Sequence, residues 1–318
     1  MPERNAVSWG TLIARHEQKG DAVEAVRLYN QMLADSCRPN ISCFSSVLSA
    51  CATLQDLREG TRIHANALKM GCTSSLFVSS SLIDMYAKSG DLDSSKTIFY
   101  QMPEKNNITW TAMVQGLAEN GFAEESILLF ENMMANGISP NEHTCLAILF
   151  ACSHSGLVEQ AIHYFEKMHT HGIPPKEKHY TCMVDVLARA GRLKEAEELL
   201  MKVPSNLEAN SWSALLSACN TYSNKEIGER AAKRLHELEK DNTAGYVLLS
   251  NMYASCGKWK DAAEMRILMK GASLKKDGGC SWLQLRGQYH AFFSWEAKHP
   301  FSLEIYEILD LLMWELTT

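Results

Sequence analysis

Apolar residues recur along this chain in short blocks with helical spacing, and the blocks come in pairs. Met183, Val184, Val186 and Leu187 form one stripe; Ala190-Gly191-Arg192 interrupts it, and Leu193 to Leu200 opens a second amphipathic run. Each pair ends in helix-breaking residues, as in MMANGISPN and KMHTHGIPP. One helical hairpin of this kind leaves an apolar face uncovered, whereas stacked hairpins cover each other, so the pattern predicts a core that runs from hairpin to hairpin.

The phrase MPERNAVSW at the start returns as MPEKNNITW from Met102, an offset of 101 residues. Aligning the chain with itself gives segments 6–40, 41–75, 76–106, 107–141, 142–177 and 178–209. Segments one and four share AVSWGTLI and NITWTAMV; segments three and six share SSLIDMYAKSGDLDSSKTIF and TCMVDVLARAGRLKEAEELL. Periods of this size mean a solenoid, here a triplet of related repeats read twice. Residues 1–5 read as the tail of an interrupted repeat.

Composition narrows the function. The chain has 318 residues, 46% of them hydrophobic, enough to bury an extensive core, and no apolar run reaches the roughly 18 residues of a membrane helix. No Arg-rich or apolar leader precedes the first segment. A net charge of -6 argues against a binder that grips polyanions through a general basic surface, and leaves open a local groove. Ten cysteines contain no CxxC, and none of the eleven histidines begins an HxE, so the zinc and proton-transfer residues of a nucleobase deaminase are missing. Cys51, Cys152 and Cys219 fall at equivalent helical places and read as small core residues of a protein from a reducing compartment. His163, His169, His171 and His179 have no ligand spacing, and Trp9, Trp110 and Trp212 read as packing between helices.

The markers SLIDMYAKSGDL, VLSACATL, ACSHSGLVEQA and HYTCMVDVLARAGRLKEAEELL resemble the pentatricopeptide repeats of land-plant organelle proteins, in the subclass that cycles P, L and S repeats. The regular period and Trp-Leu-Gly-Tyr pattern of the rival tetratricopeptide repeat are absent. The resemblance implies an all-α solenoid wound as a right-handed superhelix, with P repeats at 6–40 and 107–141, L repeats at 41–75 and 142–177, and S repeats at 76–106 and 178–209. Residues 210–277 resemble the E1 and E2 motifs that follow such repeats. Residues 278–318 resemble the start of the E+ extension, with Gly278-Gly279 where the family usually has Pro-Gly. There, Cys280 to Leu285 and Tyr289 to Ser294 read as a β-hairpin around Arg286-Gly287-Gln288, followed by a helix capped by Ser302.

In that family the fifth and last residues of a repeat read one base of single-stranded RNA. The resemblance therefore nominates Gly10 with Asn40, Ser80 with Asn106, Thr111 with Asn141, and Cys182 with Ala209 as base readers. The hydroxyl and amide pairs ask for adenine. The second residues Val7, Phe77 and Ile108 would sandwich the base, and the L-type pairs Ser45 with Ser75 and Leu146 with Glu177 do not fit the code. The implied function is recognition of sites for organellar C-to-U editing in a mitochondrion or chloroplast. The chain is expected to be no enzyme and to hold no cofactor or metal. The deaminase would come from a DYW-type protein or an absent domain, with multiple organellar RNA editing factors as further partners. A splicing or stabilisation factor and a protein-interaction solenoid remain alternatives.

Overall fold

The computed structural model describes residues 5–202, 209–239, 243–271, 279–285, 288–293 and 299–317. Residues 1–239 and 240–318 form two separate compact units.

The first unit is built from helix pairs. They are α1 (Ala6–Gln18) with α2 (Ala22–Ala34), α3 (Ile41–Leu54) with α4 (Leu57–Lys69), α5 (Leu76–Lys88) with α6 (Leu92–Gln101), and α7 (Asn107–Glu119) with α8 (Ala123–Ala135). There follow α9 (Glu142–Ser155) with α10 (Val158–Thr170), α11 (Glu177–Arg189) with α12 (Leu193–Lys202), and α13 (Ala209–Thr221) with α14 (Lys225–Leu238). The turns inside a pair need a residue in the left-handed region, which glycine enters without a Cβ penalty; Gly90 (φ +82°) and Gly191 (φ +75°) do so after α5 and α11.

Each first helix touches the first helix of the next pair, and α2, α4, α6, α8, α10 and α12 each lie against their own partner and the following first helix. The first helices therefore form the continuous inner layer of the stack. Buried residues fill the stack in successive clusters, one from Trp9 to Tyr86 and another from Ile83 to Val186. Ile83, Trp110, Met113, Val114 and Ile148 of the first helices meet Phe99, Phe130 and Tyr164 of the second helices. The Phe99 and Trp110 rings stand edge to face at 5.1 Å. Each such buried apolar side chain contributes about 1.5–3 kcal/mol of transfer free energy. Two buried serines fasten second helices to first ones across the turn: Ser95 Oγ donates to the Ile83 carbonyl (2.9 Å) and Ser126 Oγ to that of Val114 (2.8 Å).

The second unit holds α15 (Thr243–Ser255) packed on α16 (Trp259–Gly271), then strands β1 (Cys280–Leu285) and β2 (Gln288–Phe293), then α17 (Ser302–Thr317). The strands pair antiparallel with Leu285 opposite Gln288, so β2 begins one residue earlier than its apolar pattern suggested. Residues 286–287 and 294 of the expected hairpin lie outside the described residues. Ser302 is the first residue of α17 rather than its cap.

Candidate nucleic-acid interface

An α-helix leaves its first N–H groups without intrahelical partners, and a side-chain oxygen just before the helix satisfies one of them. In α1, α3, α7 and α9 that residue is an asparagine with extended backbone. Oδ1 of Asn5 accepts from Ser8 N–H (2.9 Å), Asn40 from Cys43 (2.9 Å), Asn106 from Thr109 (3.0 Å) and Asn141 from Thr144 (2.9 Å). A backbone N–H only donates, so the bond settles which end of each amide is the oxygen. The amide nitrogen is left pointing away from the helix start.

Hydroxyls tie Asn106 and Asn141 to the preceding first helix. Ser80 Oγ lies 3.2 Å from Thr109 Oγ1, which donates to Asn106 Oδ1 (2.9 Å). Thr111 Oγ1 lies 2.8 Å from Thr144 Oγ1, which donates to Asn141 Oδ1 (3.0 Å). A Cβ placed on Gly10 would stand 3.7 Å from Asn40 Oδ1 and 3.2 Å from Cys43 Sγ. The pairs Gly10 and Asn40, Ser80 and Asn106, and Thr111 and Asn141 thus become neighbours at the starts of successive first helices.

Val7, Phe77 and Ile108 occupy the second position of α1, α5 and α7, and they expose 68%, 65% and 55% of their surface. Three large apolar side chains left in solvent at one helical position are not explained by packing. Phe77 lines an open pocket of about 650 Å³ together with Asn40, Ser42 and Ser45. A second pocket of about 420 Å³ follows the same face between His143, Leu146, Lys178, Thr181 and Asn210. Ser45 pairs with Ser81 (2.8 Å), and Ser75 precedes α5 without capping it through its side chain.

The sixth pair does not keep the sequence register. Helix α11 begins at Glu177, so its fifth residue is Thr181, and Thr181 Oγ1 meets Ser211 Oγ at 2.8 Å just as Thr111 meets Thr144. Cys182 stands one residue beyond, with its thiol pushed up to about 11 by burial. Ala209 likewise opens α13 instead of preceding it. The physical reason is a substituted cap. Lys176 stands where Asn141 stands before α9, and Glu177 follows it. Buried His179 replaces the threonine: its Nδ1 accepts from Lys176 N–H (3.1 Å) and its Nε2–H donates to the Glu142 carbonyl (2.8 Å). Both ring nitrogens of His179 are therefore committed to backbone groups.

Cys51, Cys152 and Cys219 are fully buried, and burial pushes their thiols to about 12, 11 and 11, as expected of small core residues. Trp9, Trp110 and Trp212 are buried as well. Sequence reasoning missed Thr109, Thr144 and Asn107, the residues that hold the asparagines. The available signals were a threonine three residues after Asn106 and Asn141, and the doublet Asn106-Asn107.

Helix pairs stacked through their first helices, with capping amides and hydroxyls repeated at each start, define a helical-repeat solenoid. Family models agree: PPR repeat family at residues 4–53, PPR repeat at 77–107, pentacotripeptide-repeat region of PRORP at 104–219, and E motif at 222–284. The chain belongs to the pentatricopeptide repeat family. Three Arabidopsis thaliana relatives bracket it. A putative pentatricopeptide repeat-containing protein is 37% identical over 98% of this chain and 44% of its own length. One named as chloroplastic is 38% identical over 99% and 37%, and one named as mitochondrial is 38% identical over 96% and 40%. The chain thus spans less than half the length of these relatives. Among solved structures, the pentatricopeptide repeat protein PPR10 in complex with an 18-nt psaJ RNA element superposes with a TM-score of 0.71 at 18% identity, over 86% of this chain and 41% of PPR10.

Proposed function

We propose that residues 5–239 bind single-stranded RNA along the first-helix face, one nucleotide per helix pair, and that the protein selects sites for C-to-U editing in a mitochondrion or chloroplast. The observation that carries this reading is the orientation of the asparagines. With Oδ1 held by the helix start, Asn40, Asn106 and Asn141 turn an N–H donor outward beside Gly10, Ser80 and Thr111. Thr144 directs its proton to Asn141, so the Thr111 proton turns inward and its lone pair outward. A donor beside an acceptor complements adenine, whose Watson–Crick edge carries N1 and the N6 amino group. The exposed Val7, Phe77 and Ile108 supply apolar faces against which a base can lie, worth about 1–3 kcal/mol per base.

The repeat assignment stands with this reading: P at 6–40 and 107–141, L at 41–75 and S at 76–106. The first-helix start at Glu177 moves the next boundary one residue earlier than 178. The E motif at 222–284 favours editing over splicing or stabilisation. Relatives named for the chloroplast and the mitochondrion support the compartment. A DYW-type deaminase and multiple organellar RNA editing factors are the partners, and the exposed Phe301, Leu303 and Tyr306 are candidates for contacting them.

Competition between short RNAs tests the reading. The full chain is expected to prefer an oligonucleotide with adjacent adenines, facing Ser80 with Asn106 and Thr111 with Asn141, over one with uridines there, by about tenfold or more at fixed salt. Equal binding of the two would overturn it.

A further inference from the structure

The outward amide of Asn141 has a holder that its counterparts lack. Asn107, the first residue of α7, donates through Nδ2 to the Ser139 carbonyl, two residues before Asn141. A carbonyl only accepts, so this bond fixes the Asn107 amide with Oδ1 facing the other way. That oxygen accepts from Asn141 Nδ2 and lies 3.3 Å from Thr111 Oγ1. Asn107 therefore touches both members of one reading pair and the loop that carries one of them.

The arrangement depends on what stands at the first position of the helix. In α9 that residue is Glu142, and its carboxylate reaches the ammonium of Lys176, the residue before the following first helix. In α1 and α5 it is Ala6 and Leu76, which offer no polar atom. Accordingly Nδ2 of Asn40 and Asn106 makes no hydrogen bond among the described residues. The Asn141 amide is held at both ends, the oxygen by Thr144 and one N–H by Asn107, with one N–H left for a ligand.

We propose that Asn107 is a positioning residue for base selection: it orients the Asn141 amide beside the Thr111 hydroxyl so that this site discriminates more sharply than the sites read by Asn40 or Asn106. The inference rests on the RNA reading above. A side chain already fixed before binding loses little rotamer freedom on binding, and a fixed donor direction penalises a base that presents a donor in return.

The test measures preference for adenine over guanine at two adjacent nucleotides, with oligonucleotides that differ at one position and the full chain as protein. Asn107→Ala is expected to reduce the preference at the nucleotide facing Thr111 and Asn141 by about three- to tenfold, the scale of one ordered side chain. The preference at the nucleotide facing Ser80 and Asn106, and the melting temperature, should stay as in the wild type. Asn107→Gln keeps both an amide N–H and an amide oxygen and should restore part of the preference. An Asn107→Ala chain with unchanged preference, one that loses preference equally at both nucleotides, or an Asn107→Gln chain as indifferent as Asn107→Ala would each overturn the proposal while leaving the wild-type adenine preference intact. A wild type with no base preference would overturn the RNA reading and this inference together.

Discussion

First and second helices of the repeat unit solve the same physical problem with different residues. The second helices α2, α4 and α6 are capped by Asp21, Asp56 and Asp91, while the first helices α1, α3, α7 and α9 are capped by Asn5, Asn40, Asn106 and Asn141. As caps the two are nearly equivalent, and a carboxylate has the added benefit of facing the positive end of the helix dipole. Among the repeats before the E-motif region, where Asn224 caps the second helix α14, stability alone therefore gives no reason to choose the amide on one row. What distinguishes Asn is the group it does not use in capping, an uncharged donor turned outward, suited to a base edge and harmless to a nearby phosphate.

Charge divides along the same line. Helices α3 and α13 contain no Asp, Glu, Lys or Arg, whereas half the residues of α14 are charged. The second-helix side is laced from pair to pair by Lys96 with Glu125 (2.6 Å), Arg192 with Glu159 (2.8 Å) and Arg230 with Glu197 (2.7 Å). Many of the carboxylates behind the net charge of -6 are thus paired away from the first-helix face. An acidic composition is compatible with polyanion binding when the two rows are kept apart.

The rows share one core, so the largest effect should come from breaking it. Phe99→Ala removes a buried ring between α6 and Trp110 and is expected to cost about 3–5 kcal/mol in urea unfolding, with loss of RNA binding and of both rows together. A smaller change separates them. Asn106→Ala and Asp91→Ala should each cost about 1 kcal/mol as lost caps, yet only Asn106→Ala should erase an adenine preference in oligonucleotide competition. Equal effects on RNA would mean that the caps are structural on both rows.

Smaller still is the ion pair on the second-helix row. Arg62 holds the Glu59 carboxyl below its ordinary value, chiefly through their hydrogen bond. Both groups remain partly in solvent, so Arg62→Met should cost only about 0.5 kcal/mol, less at high salt, with RNA preference unchanged. A carboxyl depressed in the folded state stabilises above its unfolded value and loses that contribution as pH falls through the folded one. The gap between Arg62→Met and wild type should therefore be full at pH 7 and close as the pH is lowered past 4.5.

The helix pairing was legible because apolar spacing and Gly turns act locally: Met183, Val184, Val186 and Leu187 are all buried, and Gly191 ends their helix as the pattern implied. The sixth register slipped because it was aligned without a cap. Lys176 and His179 replace Asn and Thr there, and the equivalence of His179 with Thr144 exists only in three dimensions, where a ring reaches the Glu142 carbonyl. Asn107 escaped notice for a related reason. Its partners Ser139 and Asn141 are more than thirty residues away, and only the stacking of α9 beside α7 brings them together.

The central claim is that the first-helix amides read bases while the second-helix carboxylates only cap. Exchanging the two groups tests it most directly. Asn141→Asp keeps an oxygen for the Thr144 N–H and turns a second acceptor outward, so with Thr111 retained the preferred base facing it should change from adenine to guanine. The shift should be about tenfold, or roughly 1.4 kcal/mol, in competition between oligonucleotides that differ at that one position. Asp91→Asn, the reverse exchange on the other row, should leave the preference where it was and move the stability by only a few tenths of a kcal/mol, whereas Asn141→Asp also loses the bond to Asn107 Oδ1 and should cost about 1 kcal/mol. If Asn141→Asp keeps the wild-type preference, or if Asp91→Asn alters it as much, the division of labour between the two rows is wrong.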